Sequence, residues 1–216
     1  MAIVTPAELN KLLTVLLHEL LADTGFSKKR TGTLRRNAGA CEQFCSFYFT
    51  RDRGLPGNQY TLTCTVSFSF SEVDQLTNKF LGQEYDKRAK QFSTGAEPLY
   101  AIVSNSSASR YKYCSDEPFS RLAEVVSEDF HACAIPFYEK YDTLEKLEEY
   151  FDRRLNGGER DFRVVWEGRK PGSGEGCCYA AVLCLLEKWD ELERFLKDTD
   201  LLMEEHRESI CEYLFK

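Results

Sequence analysis

The chain predicts an α+β fold: an antiparallel meander sheet packed by an N-terminal helix and later helices, with a helical C-terminal extension. Three observations lead there. In the first half, Tyr and Phe sit among Ser and Thr, a composition that favours strands. The last third is rich in Leu, Glu and Lys, which favours helix. Within that first half lies one strictly alternating segment, in which Tyr60, Leu62, Cys64, Val66, Phe68 and Phe70 interleave with Thr and Ser up to Ser71. Alternation of that length means a strand with one face on a core. A chain that is strand-rich early and helix-rich late is α+β rather than alternating α/β.

The elements follow in order. Thr5 reads as an N-cap, Pro6 as the first helical residue, and Glu8 as the partner that closes a capping box. Leu9, Leu12, Leu13, Leu16, Leu17, Leu20 and Leu21 recur at helical spacing up to Gly25, so this helix is expected to cover a sheet. Lys28–Arg36 and Glu42–Thr50 read as strands joined by a turn at Asn37-Ala38-Gly39-Ala40. A loop with Pro and Gly at 51–58 leads into the alternating strand. Leu99–Ser104 and Ser109–Cys114 read as a last hairpin around Asn105-Ser106-Ser107, and 72–98 as a short helix or an excursion. From Pro118 the period becomes helical, with Leu122, Val125, Val126, Phe130 and Cys133 in one stripe that Pro136 is expected to end. Asp142 is the expected cap of the next helix, which turns Leu144, Leu147, Phe151 and Leu155 inward and stops at Asn156-Gly157-Gly158. Phe162–Trp166 reads as a short strand and Pro171–Gly176 as a flexible loop. Tyr179–Leu196 and Leu201–Leu214 read as two final helices. Residues 1–155 are thus expected to form an α+β domain, and 156–216 a helical extension packed on it.

An apolar fraction of 43% with 13% aromatics is ample for a packed core. There is no run of about 18 apolar residues, and the first residues carry no export pattern. The odd count of nine cysteines, several at apolar strand or helix positions, points to reduced thiols in a cytoplasmic protein. The net charge of −7 is unevenly spread. Lys28, Lys29, Arg30, Arg35 and Arg36 form a patch without acids, whereas Glu187 to Glu212 holds ten acids against four bases. An acidic tail has the wrong sign for neutralising phosphates, so it argues against nucleic acid as the main partner and suits a basic protein.

The segments GFSKKRTGTLRRN and AIPFYEKYDTLEKLEEYF, with aromatic strands between them, resemble an uncharacterised bacterial domain-of-unknown-function family. Its members pair a basic helix exit with an Arg-Arg-Asn strand and close on a Pro-Phe helix. The resemblance spans residues 8–155 and carries no catalytic residues to transfer. Such domains stand beside toxin genes, so the resemblance implies an immunity protein acting as a toxin inhibitor.

No other motif carries chemistry. The glycines at Gly172, Gly174 and Gly176 lack the Lys-Ser/Thr or the spacing of a phosphate loop, and Glu175 would repel phosphate. Cys41 and Cys45 share a strand face and Cys177 adjoins Cys178, but no C-x-x-C pair and only three scattered histidines accompany them. A cysteine nucleophile would need His131 or His18 to meet it in space. Paired carboxylates such as Glu148-Glu149 and Glu204-Glu205 read as solvated helix faces. Neither metal nor cofactor nor enzymatic activity is expected. The leading expectation is a protein-binding module, an immunity protein whose acidic helices mask a basic toxin of the same cell. The expected contacts are Asp190, Glu191, Glu193, Asp198, Asp200, Glu204, Glu205 and Glu208, on helical surface rather than in a pocket. The alternative is a nucleic-acid or nucleotide binder, or an enzyme, using Lys28, Lys29, Arg30, Arg35 and Arg36 with Phe44, Phe47 and Tyr48 as stacking groups. The same charges would also protect an edge strand.

Overall fold

Helix α1, Pro6–Leu20, begins as the sequence dictates. Thr5 accepts from the Glu8 amide, and the Glu8 carboxylate accepts from the Thr5 amide. Such a reciprocal cap is worth about 1 kcal/mol. Leu9, Leu13, Leu17 and Leu21 are buried. A short 3₁₀ turn, Ala22–Thr24, separates the helix end from Gly25, whose φ of 78° supplies the left-handed exit.

The structure, a computed structural model, describes residues 5–51, 59–84, 94–103, 107–155 and 173–214. Of these, residues within Met1–Phe68 and Ala96–Glu139 form one compact unit, and residues within Ser69–Gly95, Lys140–Asp161 and Trp166–Lys216 form a second. The chain passes between the units after Phe68, Gly95 and Glu139, because the helices Ser71–Phe80 and Leu144–Leu155 pack on the helix Ser173–Leu185 that follows.

The first unit carries the antiparallel sheet, with strands in the order β1 (Ser27–Arg30), β2 (Thr33–Ala38), β3 (Cys41–Arg51), β4 (Gln59–Phe70) and β5 (Gly95–Pro98). Strand β6 (Lys112–Cys114) also pairs with β4, Tyr60 opposite Tyr113. The expected strand 28–36 is in fact a hairpin. Gly32, at φ 78°, turns β1 back on β2, and a Cβ there would lie 2.8 Å from the Phe47 carbonyl oxygen. Thr14 of α1 accepts from the Gly32 amide at 2.9 Å, tying helix to turn. The alternating face of β4 is buried from Tyr60 to Phe70, as its pattern required.

The expected last hairpin does not form. Leu99–Ile102 is a short helix, α3, and Ala108–Tyr111 a 3₁₀ turn, which leaves three residues for β6. The β-prone side chains there serve packing instead, Tyr111 being wholly buried, so tertiary context overrides propensity. Nor does Pro136 end its helix. After α4 (Phe119–Asp129) the chain widens into a π turn, Phe130–Ala134, where the Ile135 amide reaches back to the Phe130 carbonyl. That wider turn precedes α5 (Ile135–Lys140) and accommodates the missing proline N–H.

The second unit is helical. Helix α2 (Ser71–Phe80) follows β4 directly, within the segment read as a helix or an excursion. Helix α6 (Leu144–Leu155) is capped by Thr143, whose hydroxyl accepts from the Lys146 amide; Asp142 instead takes the Lys146 ammonium at 2.7 Å. Residues 173–176, read as a loop, are the first turn of α7 (Ser173–Leu185). Every side chain from Cys177 to Cys184 is buried, since α2, α6 and the helices Trp189–Asp198 and Glu204–Leu214 all contact this helix. A helix apolar all round belongs inside. At Gly176 a Cβ would lie 2.9 Å from Leu202 Cδ2, so a larger residue would require the Leu202 side chain to shift. The single helix expected over 179–196 breaks at Glu187, φ 57°, into α7 and α8 (Trp189–Asp198); α9 (Glu204–Leu214) follows. The stop at 156–158 and the strand at 162–166 fall outside the described residues.

Candidate partner-binding surface

Helices α8 and α9 turn Leu192 and Ile210 inward, with Leu202 buried between them. The remaining positions carry the acids. Asp190, Glu193, Asp198, Asp200, Glu204, Glu205 and Glu208 are exposed and Glu191 is half-buried. Glu193 holds Lys197 at 2.6 Å one turn on, an exposed pair. Arg207 points away from this surface and donates to the Leu196 and Thr199 carbonyls at the C-terminal end of α8. Its charge there compensates the helix dipole rather than the carboxylates.

Three large apolar side chains on or beside α8 and α9 are exposed as well. Trp189 is 49% exposed, Met203 51% and Tyr213 36%. Acid spacing gave no hint of this, because whether an aromatic on an amphipathic helix faces out depends on which neighbours cover it. A groove of about 430 Å³ lies in the same unit, with Tyr179 and Phe195 in its lining and Asp152, Glu191, Asp198 and Asp200 around them. A second, mixed-charge concavity of about 650 Å³ lies along α2 and Tyr213, where Lys79 sits over the Tyr213 ring at 4.5 Å.

The basic patch has different surroundings. All four residues of β1, Lys28 and Arg30 included, are exposed, and Lys29 lies over the Phe44 ring at 4.7 Å. Arg30 donates weakly to Thr33, and Arg35 pairs with Glu42 at 3.4 Å. Arg36 donates to Gln43 at 2.7 Å and to the Thr24 carbonyl at 3.0 Å, and lies over the Phe26 ring. Of the three stacking residues, Phe44 and Phe47 are buried; only Tyr48 is exposed. Arg35 and Arg36 therefore hold the hairpin together, and the ring surface an unpaired base would stack on is mostly covered.

The cysteines and histidines do not assemble into a site. All nine cysteines are free thiols, and Cys45 touches Cys64 in the core at 3.6 Å. Burial raises the Cys133, Cys177, Cys178 and Cys184 thiols, the last two named after Cys177 sitting on one buried helix, so each stays protonated and a poor nucleophile. His131 bonds Asp23 and the Ser127 carbonyl. Among the described residues no group of three or more His, Cys, Asp or Glu is placed to hold a metal, and no helix is long and apolar enough to cross a membrane.

No family model, curated protein or solved structure matches the chain.

Proposed function

We propose that this chain is a protein-binding module whose acidic α8–α9 face docks a basic protein. The observation that carries the reading is the company the carboxylates keep. Trp189 and Met203 adjoin Asp190 and Glu204 in the chain and are exposed with them, and aromatics with Met are enriched where proteins meet while isolated acids are not. With the resemblance stated above, the favoured partner is a toxin of the same cell that acts on nucleic acid or nucleotides. Such a toxin carries the basic surface that this face complements, and masking it in the cytoplasm makes this chain an immunity protein. The hairpin of Lys28, Lys29, Arg30, Arg35 and Arg36 is less well suited to the alternative role in anion binding, because Arg35 and Arg36 are engaged within the fold.

The test is affinity purification from the native host, followed by charge reversal on the purified pair. Asp190→Lys, Glu204→Lys and Glu208→Lys together should leave the melting temperature unchanged and weaken binding. Unchanged affinity would place the interface elsewhere.

A further inference from the structure

We propose, building on the partner-binding reading, that the groove beside Tyr179 and Phe195 is a subsite for an arginine side chain carried by the basic protein partner. The groove has walls of two kinds. Tyr179 of α7 and Phe195 of α8 meet edge to face with centroids 5.0 Å apart; Tyr179 is buried and Phe195 half-buried, so a ring borders the cavity. Glu191 and Asp198 of α8, Asp200 just after it and Asp152 of α6 supply carboxylates. Arg194 is the one cation among the described lining residues, where it stands with four carboxylates. The field is felt at the Tyr179 hydroxyl, pushed up to about 12 by burial and then by Asp152, Glu148 and Glu191, with Arg194 opposing.

Aromatic surface beside convergent carboxylates suits one cation best. A guanidinium is planar, stacks on a ring, pairs with a carboxylate through two parallel N–H donors, and is more weakly hydrated than an ammonium. Lysine would satisfy the charge alone. The sign of the cavity rejects phosphate, and its volume of about 430 Å³ is ample for a single side chain. A protein rather than a free cation is the occupant that fits, because the groove shares its unit and its Asp198 and Asp200 with the acidic face carrying Trp189 and Met203.

The experiment is fluorescence anisotropy of the full chain with labelled octa-arginine and octa-lysine peptides at low salt. Octa-arginine should bind about tenfold more tightly than octa-lysine. Asp198→Asn with Asp200→Asn, both at exposed positions, should weaken octa-arginine about tenfold, and Phe195→Leu should abolish the preference for arginine. Glu204→Lys with Glu208→Lys, which lie outside the groove, should weaken both peptides alike and leave the preference intact. Equal binding of the two peptides overturns the arginine subsite. So does a preference untouched by the Asp198/Asp200 pair, the readout that stands even if Phe195→Leu fails to fold. If binding is then lost in the Glu204/Glu208 variant, the acidic face stands without the groove. Displacement of octa-arginine by spermine at equal charge would reassign the groove to a free polyamine and overturn the proposal. Binding of neither peptide overturns both the subsite and the acidic-face reading.

Discussion

Asp129 shows what a single residue holds in the first unit. It accepts two N–H bonds from Arg110, at 2.5 and 2.7 Å, and the Tyr111 hydroxyl at 2.8 Å. Tyr111 is wholly buried, so its hydroxyl has nowhere else to go. Asp129→Ala should cost about 2 kcal/mol, seen as a lower urea midpoint, because it strands a buried donor. An unshifted midpoint would contradict that. Nothing in the sequence foretold this cluster, since its members lie 18 and 19 residues apart. The Thr5–Glu8 box was legible because its two partners are three residues apart and the geometry is local. Burial also fixes a pH dependence. The Cys177 and Cys184 thiols rise from 9.0 to about 12, and the Tyr179 hydroxyl from 10.0 to about 12. The unfolded chain therefore releases protons that the folded one keeps, so stability is fully present below about pH 9 and is lost as pH rises towards 12. Urea midpoints should fall across that window, and less steeply in a Cys177→Ala variant.

At the scale of the element, strand β4 was written plainly in the sequence, whereas helix α7 was legible only from Tyr179 onward. Period-two alternation needs only one buried face, and the β4 face from Tyr60 to Phe70 is buried. Replacing Val66 or Phe68 with Asp should abolish soluble expression, because an unpaired buried charge costs several kcal/mol or must neutralise. Wild-type yield from either variant would refute the assignment of that face. Helix α7 has no polar side, so it offers no period to read, and its first turn of Ser173, Gly174, Glu175 and Gly176 looks like a loop. The β1–β2 turn was missed for a related reason: a lone glycine between two basic runs gives no alternation break. Its role can be measured against a control. Gly32→Ala combines a left-handed φ with a 2.8 Å approach to the Phe47 carbonyl, whereas Gly39→Ala, φ 62°, meets nothing within 4 Å. The second should cost about 1 kcal/mol in thermal unfolding and the first clearly more. Equal costs would mean that the close approach relaxes freely.

For the molecule as a whole, charge and cysteine chemistry were legible in the sequence while the surface proposed for docking was not. Residue types reveal where acids concentrate, but not that Trp189 and Met203 remain exposed, nor that Tyr179 and Phe195 border a groove. Those follow from how α6, α7, α8 and α9 pack, which only long-range contacts decide. All nine thiols should titrate in unfolded, unreduced protein, and a count near one would contradict the free-thiol core. The central claim is that the α8–α9 face captures a basic protein, and electrostatic capture has a kinetic signature. The most direct measurement is the association rate, by stopped flow, between this chain and the protein that co-purifies with it, as salt rises from about 50 to about 500 mM. The account predicts that association slows steeply with salt while dissociation changes little, and that Asp190→Lys with Glu204→Lys and Glu208→Lys removes most of that dependence. A rate indifferent to salt, or an affinity untouched by those reversals, would contradict it.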